Sequence, residues 1–164
     1  MVYHYYMKKT SIADEYITIN IEKDQTRFER IKNPQGADKG IGHYFLALEV
    51  TSRKGTVHVP ISIASGKKVT GFIYQIEGTG VGSLSTAKVS ARGEGVTQVT
   101  LGTIVYCKIP EGKTASFRIQ VEIEGKIGKA YTVVINQINY KLTTANARYK
   151  RLFAGVSTRT LEFK

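Results

Sequence analysis

Positive charge at the carboxyl end is the feature of this sequence best suited to binding a ligand. Residues 141–164 contain six Lys and Arg residues and a single Glu, with Tyr149 and Phe153 among them. Guanidinium and ammonium groups bind phosphate, sulfate and carboxylate, and aromatic rings add stacking surfaces. Five cations are therefore predicted to bind a polyanion: Lys141, Arg148, Lys150, Arg151 and Arg159. The alternative is a solvated face that aids solubility.

Other residue types that carry chemistry are sparse and poorly spaced. Residues 78–83 contain three glycines but lack the remaining features of a dinucleotide or phosphate loop, so a hairpin or long loop is favoured. His4, His43 and His58 show no metal-ligand spacing. Cys107 lies on the apolar parity of its strand, which predicts a buried, inert thiol. We therefore expect a non-enzyme with no cofactor or metal.

Aromatic residues also crowd the amino terminus, before the first clear strand. Tyr3, Tyr5 and Tyr6 precede two lysines. Residues 1–15 are predicted to form an arm that packs on its own domain or on a neighbouring copy, which makes these tyrosines candidates for self-association. A disordered leader is the alternative. No secretory signal is visible, so the cytoplasm is expected if the chain is complete, and a cell surface or particle if it is a mature form.

Length and composition favour one basic β domain over residues 16–164, with residues 141–164 as its basic segment. The 164 residues carry a net charge of +11, and the single Cys allows no internal disulfide. Val, Ile and Thr number 48 against 18 for Ala and Leu, a balance typical of pleated sheets. The apolar runs are far shorter than a membrane helix requires, so no membrane span is expected.

Alternation with a period of two indicates the strands that must position these residues. Phe117, Ile119, Val121 and Ile123 alternate with polar residues, and similar stripes start near Ile17, Tyr44, Val57, Phe72, Val99 and Tyr131. Residues 44–50 and 57–63 read as a hairpin turning at 53–55, which would make His43 and His58 neighbours. The apolar parity changes after Ile135, which predicts a β-bulge near Asn136 and Gln137.

The predicted fold is all-β, an antiparallel sandwich of immunoglobulin-like or jelly-roll-like form. Seven or more short strands separated by turn residues favour it, and crossover helices are lacking. One short helix is predicted near the carboxyl end over residues 145–153, where Tyr149, Leu152 and Phe153 would share a face and Gly155 would end it.

Residues 101–142 resemble the closing half of immunoglobulin-like sandwich modules of bacterial surface and appendage proteins. The resemblance lies in a Pro-x-Gly turn at residues 110–112, a strictly alternating strand after it, and a late strand opened by Tyr131. It implies a structural or adhesive role without catalysis.

Two functions follow from these features. The first is a structural or adhesive subunit that associates with its own copies or a surface assembly through terminal segments and edge strands. The alternative is an anion-binding module in which the basic segment contacts nucleic acid or an acidic polysaccharide. The expected partners are accordingly further copies of the chain, a larger protein assembly, or a polyanion.

Overall fold

The protein is an all-β antiparallel sandwich. The computed structural model describes residues 11–30, 39–66, 70–79, 83–144 and 148–164. The strands in this part of the chain are β1 (Ser11–Ala13), β2 (Ile17–Asp24), β3 (Arg27–Arg30), β4 (Lys39–Ser52), β5 (Val57–Pro60), β6 (Ile63–Ser65), β7 (Phe72–Gly78), β8 (Ser83–Arg92), β9 (Thr97–Leu101), β10 (Ile104–Ile109), β11 (Thr114–Lys126), β12 (Ala130–Tyr140), β13 (Lys150–Ser157) and β14 (Leu161–Glu162). Tyr3, Tyr5 and Tyr6 lie outside the described residues, whereas β1 falls inside the segment predicted as an arm and pairs with β2.

The strands form three sheets arranged in two layers. The first sheet has the order β1-β2-β4-β11-β8, with β3 beside β4. The second has the order β5-β10-β9, and the third β13-β12-β7-β6 with β14 on β12. His58 and Lys141 exchange two backbone hydrogen bonds of 2.8 Å, which join the second sheet to the third. Among the described strands every pairing is antiparallel except the short one between β6 and β7.

The centre of the first sheet is a long ladder between β4 and β11. It runs from Thr114 opposite Thr51 to Lys126 opposite Lys39 without a register shift. Because successive side chains in a strand point to opposite faces, the ladder sorts its residues into an inner apolar and an outer polar set. Buried and partly exposed residues alternate along nearly all of β4 and β11.

Aromatic side chains fill the space between the two layers. Phe117 of the first sheet packs on Phe72 of the third, with ring centroids 5.2 Å apart. The Tyr44 hydroxyl donates a 2.9 Å hydrogen bond to the Tyr131 carbonyl across the same interface. Burial of the phenol, with the nearby Tyr131, raises the Tyr44 pKa well above its usual range. The polar end of a buried ring is therefore paired, as burial requires.

The bulge predicted near Asn136 and Gln137 is confirmed. Ile135 lies opposite Tyr74 of β7, but Gln137 lies opposite Ile73, so Asn136 is an extra residue in β12. The pairing of β12 with β13 shifts at the same place. The bulge keeps the apolar side chains of β12 directed toward the core both before and after Asn136, although the apolar positions change from odd to even numbers there.

The hairpin predicted from residues 44–50 and 57–63 is wrong. β4 pairs with strands of the first sheet, whereas β5 pairs with β10 in the second. The turn after Ser52 therefore carries the chain from one layer to the other. His43 and His58 consequently lie in different sheets and are not cross-strand neighbours.

The short helix predicted over residues 145–153 is not seen in its described part. Lys150–Ser157 forms β13 instead, paired with β12. Leu152 and Val156 are buried on one side of this strand, while Phe153 on the other side is 74% exposed. Burying one face of the strand against the core and pairing with β12 on either side of the bulge outweigh the helical spacing of the same residues.

Two inward-facing glycines make room for the carboxyl-terminal aromatic ring. A Cβ at Gly125 would lie 2.5 Å from Tyr131 Cε2 and 2.8 Å from Phe163 Cε2. A Cβ at Gly42 would lie 2.9 Å from Phe163 Cζ. Phe163 is 1% exposed, and its ring centroid is 4.7 Å from that of Tyr131. The small residues thus allow β14 and the residue after it to seal this end of the core.

We expect Gly125→Ala to lower the free energy of unfolding by about 1–3 kcal/mol, because the added methyl group overpacks a filled space. Urea denaturation measures this change. Combining Gly125→Ala with Phe163→Leu should cost less than the sum of the two single changes, since the smaller side chain relieves the contact. Thr100→Ala on the exposed side of β9 serves as the control. If the two changes in the free energy of unfolding are strictly additive, Gly125 is not required to make room for the Phe163 ring.

Candidate anion-binding site

The five cations predicted to bind an anion do not form one site. Lys141, Lys150 and Arg151 lie around a group of tyrosines, as described below. Arg148 is exposed and makes no hydrogen bond or ion pair with the rest of the described chain. Arg159 donates a hydrogen bond to the Thr26 carbonyl, which ties the segment after β13 to the first sheet.

A tyrosine–lysine cluster, composed of Tyr16, Tyr106, Tyr149, Lys141 and Lys150, holds two of the predicted cations. The Lys141 Nζ lies 4.5 Å from the Tyr149 ring centroid and 5.8 Å from that of Tyr106. The Lys150 Nζ lies 4.8 Å from the Tyr16 ring centroid. The two hydroxyls of Tyr106 and Tyr149 are 2.7 Å apart. Both ammonium groups are therefore positioned by aromatic faces.

Two carboxylates lie in the same depression as this cluster. The depression has a volume of about 460 Å³ and is lined by Asp14 and Glu15 together with Lys150 and Arg151. The Asp14 Oδ1 accepts 2.8 Å hydrogen bonds from the backbone N–H groups of Tyr16 and Ile17. Glu15 pairs with Lys54 at 2.7 Å, and this partner holds the Glu15 pKa below its usual range. Negative charge from these two residues opposes binding of an anion here.

The Asp14 carboxylate also accepts a hydrogen bond from a buried phenol. The Tyr140 hydroxyl donates a hydrogen bond to Asp14 Oδ2, linking β12 of the third sheet to the turn before β2. Burial and the adjacent carboxylate raise the Tyr140 pKa well above its usual range. Asp14 thus organises this end of the sandwich, and its charge is committed to the protein itself.

The outer side of the first sheet presents a second, more uniform group of cations. Pairing of β8 with β11 places Arg92 opposite Ser116, Ser90 opposite Arg118, and Lys88 opposite Gln120. We call these six outward-facing residues the cationic face: Lys88, Ser90, Arg92, Ser116, Arg118 and Gln120. Lys88, Arg92 and Arg118 are all exposed. None of the three makes an ion pair with another residue that the structure describes.

A half-open depression of about 670 Å³ lies over the cationic face and the neighbouring strands. Besides the six residues of the face, its lining includes Phe45 and Ala47 of β4, Gln25, and one carboxylate, that of Glu22. Three cations against one carboxylate among the lining residues give the depression a positive potential. It can accept an anionic chain laid along the sheet.

Acidic groups next to the cationic face are held by other partners. The Glu122 carboxylate accepts hydrogen bonds from the Thr86 hydroxyl at 2.9 Å and from the Gln120 amide at 3.0 Å. Its other neighbour is His43 Nδ1 at 3.1 Å, and His43 Nε2 lies 3.0 Å from Glu29. The Thr86 hydroxyl and His43 keep the Glu122 pKa below its usual range against the effect of burial. The Glu122 carboxylate is therefore held by side chains of β4, β8 and β11.

The sequence contains the signal for this face, but it is weak. Thr86, Lys88, Ser90 and Arg92 alternate with residues on the inner side of β8, but the inner stripe is only Ala87, Val89 and Ala91. Two of these three side chains are single methyl groups, so the apolar period is faint and residues 83–92 were not predicted as a strand. A search for alternating cations on the polar side of a strand would have found them.

The other reactive side chains include the thiol of Cys107, which follows Tyr106 of the tyrosine–lysine cluster in β10. Cys107 is fully buried, as predicted, and burial raises its pKa to about 12. Within the described residues no group of three His, Cys, Asp or Glu side chains is placed to hold a metal ion. The same residues include no helix with the length and hydropathy that a membrane crossing requires. His4 and residues 80–82 of the glycine-rich segment lie outside the described residues.

No model of a known protein family matches the chain, and no curated protein matches it. The geometry of the two cation groups is therefore the basis for a proposed function.

His58 gives the fold a pH dependence that can be measured. Its side chain is 8% exposed and Nδ1 has no hydrogen-bond partner among the described residues. Burial, with a smaller contribution from Lys108, lowers the His58 pKa below 6.5. Because the unfolded chain then binds a proton more readily than the folded chain, the stability contributed by neutral His58 is complete above about pH 6.5 and is lost as pH falls.

We expect the wild-type protein to lose more stability than His58→Gln between pH 7 and pH 5, by at most about 1.4 kcal/mol per pH unit. Urea denaturation at each pH gives the two slopes. The comparison uses slopes because the substitution itself can change stability at neutral pH. Parallel slopes for the two proteins would show that His58 is protonated equally in the folded and unfolded states.

Proposed function

We propose that this protein is a polyanion-binding β-sandwich module and that the cationic face contacts the ligand. The observation that carries the proposal is the grouping of Lys88, Arg92 and Arg118 along one open depression, without an ion-pair partner in the described chain. Exposed cations of this kind displace the counterions condensed on an anionic chain, and the release of those counterions supplies affinity. The net charge of +11 adds long-range attraction.

The tyrosine–lysine cluster is expected to contribute less to binding than the cationic face. Lys141 and Lys150 keep N–H donors free of described partners while resting on tyrosine rings, but Asp14 and Glu15 share the depression that Lys150 lines. Like charges of a ligand and these carboxylates repel each other at short range. The sequence-based candidates therefore add to the general positive field, and the cationic face provides the contacts.

We expect Lys88→Gln/Arg92→Gln/Arg118→Gln to weaken binding to heparin and to oligo(dT) by at least tenfold at moderate salt. For a single strand, loss of three contacts should also reduce the slope of log K against log salt by roughly two. Fluorescence anisotropy at several salt concentrations measures both quantities. Urea denaturation confirms that the variant folds, because all three side chains are exposed.

Two variants with the same loss of charge are the controls. Lys108→Gln/Lys113→Gln/Lys129→Gln removes exposed lysines that do not line the depression. Arg148→Gln/Lys150→Gln/Arg151→Gln removes three of the five cations predicted from sequence. Each should weaken binding less than the change on the cationic face. If the three triple variants weaken binding equally, the interaction depends only on net charge. If the Arg148/Lys150/Arg151 variant weakens binding most, the site lies at the tyrosine–lysine cluster.

A second candidate function is the structural or adhesive subunit indicated by sequence, and one observation favours it. β13 ends its sheet in the described part of the chain, and Phe153 on this strand is 74% exposed. The edge of a sheet pairs with another strand through free backbone groups. A second copy docked antiparallel about Phe153 would place Lys150 opposite Val156 and Arg151 opposite Gly155, so like charges would not face each other. The resemblance of residues 101–142 to immunoglobulin-like surface modules stays a prediction.

For this second function we expect a concentration-dependent dimer that Phe153→Ser weakens by about tenfold. Mass photometry and sedimentation equilibrium measure the association, and Leu101→Ser, which alters another exposed apolar side chain, is the control. The association should persist at high salt, because apolar contact and strand pairing are poorly screened. A protein that stays monomeric at every accessible concentration would exclude β13 as a self-association edge.

A further inference from the structure

The order of side chains on the cationic face restricts the kind of polyanion that it fits. Along β8 the outward residues are Lys88, Ser90 and Arg92, and along β11 they are Ser116, Arg118 and Gln120. Within this pair of strands, every cation is therefore flanked by a hydroxyl or an amide, both along its strand and across to the other strand. On its β4 side, Arg118 lies opposite Ala47. The face is a checkerboard of charged and neutral hydrogen-bonding groups.

The dimensions of a sheet set the spacing of this checkerboard. Residues two apart on a strand are separated by about 7 Å, and neighbouring strands by about 4.8 Å. Lys88 and Arg92 are thus about 13 Å apart along β8, and Arg118 lies midway between them on β11. The positions between the cations are filled by neutral side chains that donate and accept hydrogen bonds.

The aromatic ring that the described lining of the depression contains already has side chains of the protein against it. Phe45 is the aromatic residue of the described lining, and the Arg27 guanidinium lies 5.8 Å from its centroid. The His43 ring lies beside it in a near-parallel plane, with centroids 6.4 Å apart. Proteins that hold single-stranded nucleic acid combine a basic groove with exposed aromatic platforms. This face provides the first element without the second.

The Glu22 carboxylate at the margin of the depression favours a ligand rich in hydroxyl groups. A carboxylate is an acceptor only, so it can receive a hydrogen bond from a hydroxyl but repels a phosphate or sulfate. A chain with an anionic group on every unit and few hydroxyls would meet this repulsion without compensation. A chain that carries several hydroxyls for each anionic group would use all the side chains present.

From this arrangement, and resting on the proposed polyanion-binding function, we infer that the ligand of the cationic face is an acidic polysaccharide, with the charges supplied by uronate carboxylates or sulfate esters. The cations contact the anionic groups. Ser90, Ser116, Gln120 and Gln25 bind the ring hydroxyls between them. Recognition by neutral side chains is the property that separates this ligand from a nucleic acid.

The test compares two kinds of change on the full chain. Ser90→Ala/Ser116→Ala keeps the charge of the face and removes two neutral hydrogen-bonding groups, whereas the triple Gln variant described above removes the charge. The probes are polygalacturonate, which carries carboxylates, κ-carrageenan, which carries sulfate esters, neutral dextran and oligo(dT), at one salt concentration. Gln98→Ala/Thr100→Ala on the exposed surface of β9 is the matched control.

We expect Ser90→Ala/Ser116→Ala to weaken binding to polygalacturonate or κ-carrageenan by about tenfold and to leave oligo(dT) binding within twofold. The control should change neither, and dextran should not bind. The more affected of the two acidic polysaccharides identifies carboxylate or sulfate as the preferred group. The melting temperature of each variant shows that it is folded.

Two results would overturn the inference, and they differ from failure of the proposed function. If the neutral double variant binds both polysaccharides as the wild type does, or if the wild type prefers oligo(dT), the ligand is not recognised as a polysaccharide. The triple Gln variant would still lose affinity for all polyanions in that case. If the triple variant keeps full affinity for every probe, the cationic face is not a binding site at all.

Discussion

The unbroken ladder between β4 and β11 is the constraint on which the rest of this structure depends. Its register is continuous from Thr51 opposite Thr114 to Lys39 opposite Lys126. A pleated pair without a bulge fixes which side chain points inward at every position. The same alternation that delivers Phe117 to the core sends Arg118 outward. A slip of one residue would exchange the core and the cationic face completely.

The two groups of cations differ in how the protein treats their charge. At the tyrosine–lysine cluster both ammonium groups rest on aromatic rings. Lys150 also lines the depression that contains Asp14 and Glu15, so its field is partly offset inside the protein. On the cationic face, Lys88, Arg92 and Arg118 extend from a rigid sheet and no ion pair with another described residue engages them. Rigid elements position binding groups better than loops do. The density of Lys and Arg in a sequence is therefore a poorer guide to a binding surface than their placement on strands.

The strands and their buried faces could be predicted from sequence because alternation is a local property. The stripe from Phe117 to Ile123, the buried Cys107 and the extra residue at Asn136 all follow from the period of two. The pairing of strands is not local. Residues 53–55 form a turn whether the chain returns to the same sheet or crosses to the other layer, so the hairpin between β4 and β5 was wrong.

The site was harder to predict than the fold for a related reason. The cationic face unites side chains of β8 and β11, which become neighbours only through the register of those strands. Alanines on the inner side of β8 made its apolar stripe faint. The spacing of apolar residues near Leu152 fits both a helix and a strand. Pairing with the open edge of β12 stabilises the strand.

The repeated crossing of the chain between layers has a consequence for how the protein is made. β4, β7 and β11 are each followed by a strand in a different sheet, and the central partner of β4 is a strand from late in the chain. A ribosome therefore releases the first half of the sandwich before the strand that completes it exists. Folds built from such distant contacts form slowly, and their unfinished edges are open to aggregation. The first sheet cannot be completed until β11 has emerged, and the third sheet cannot be completed until β12 and β13 have followed it.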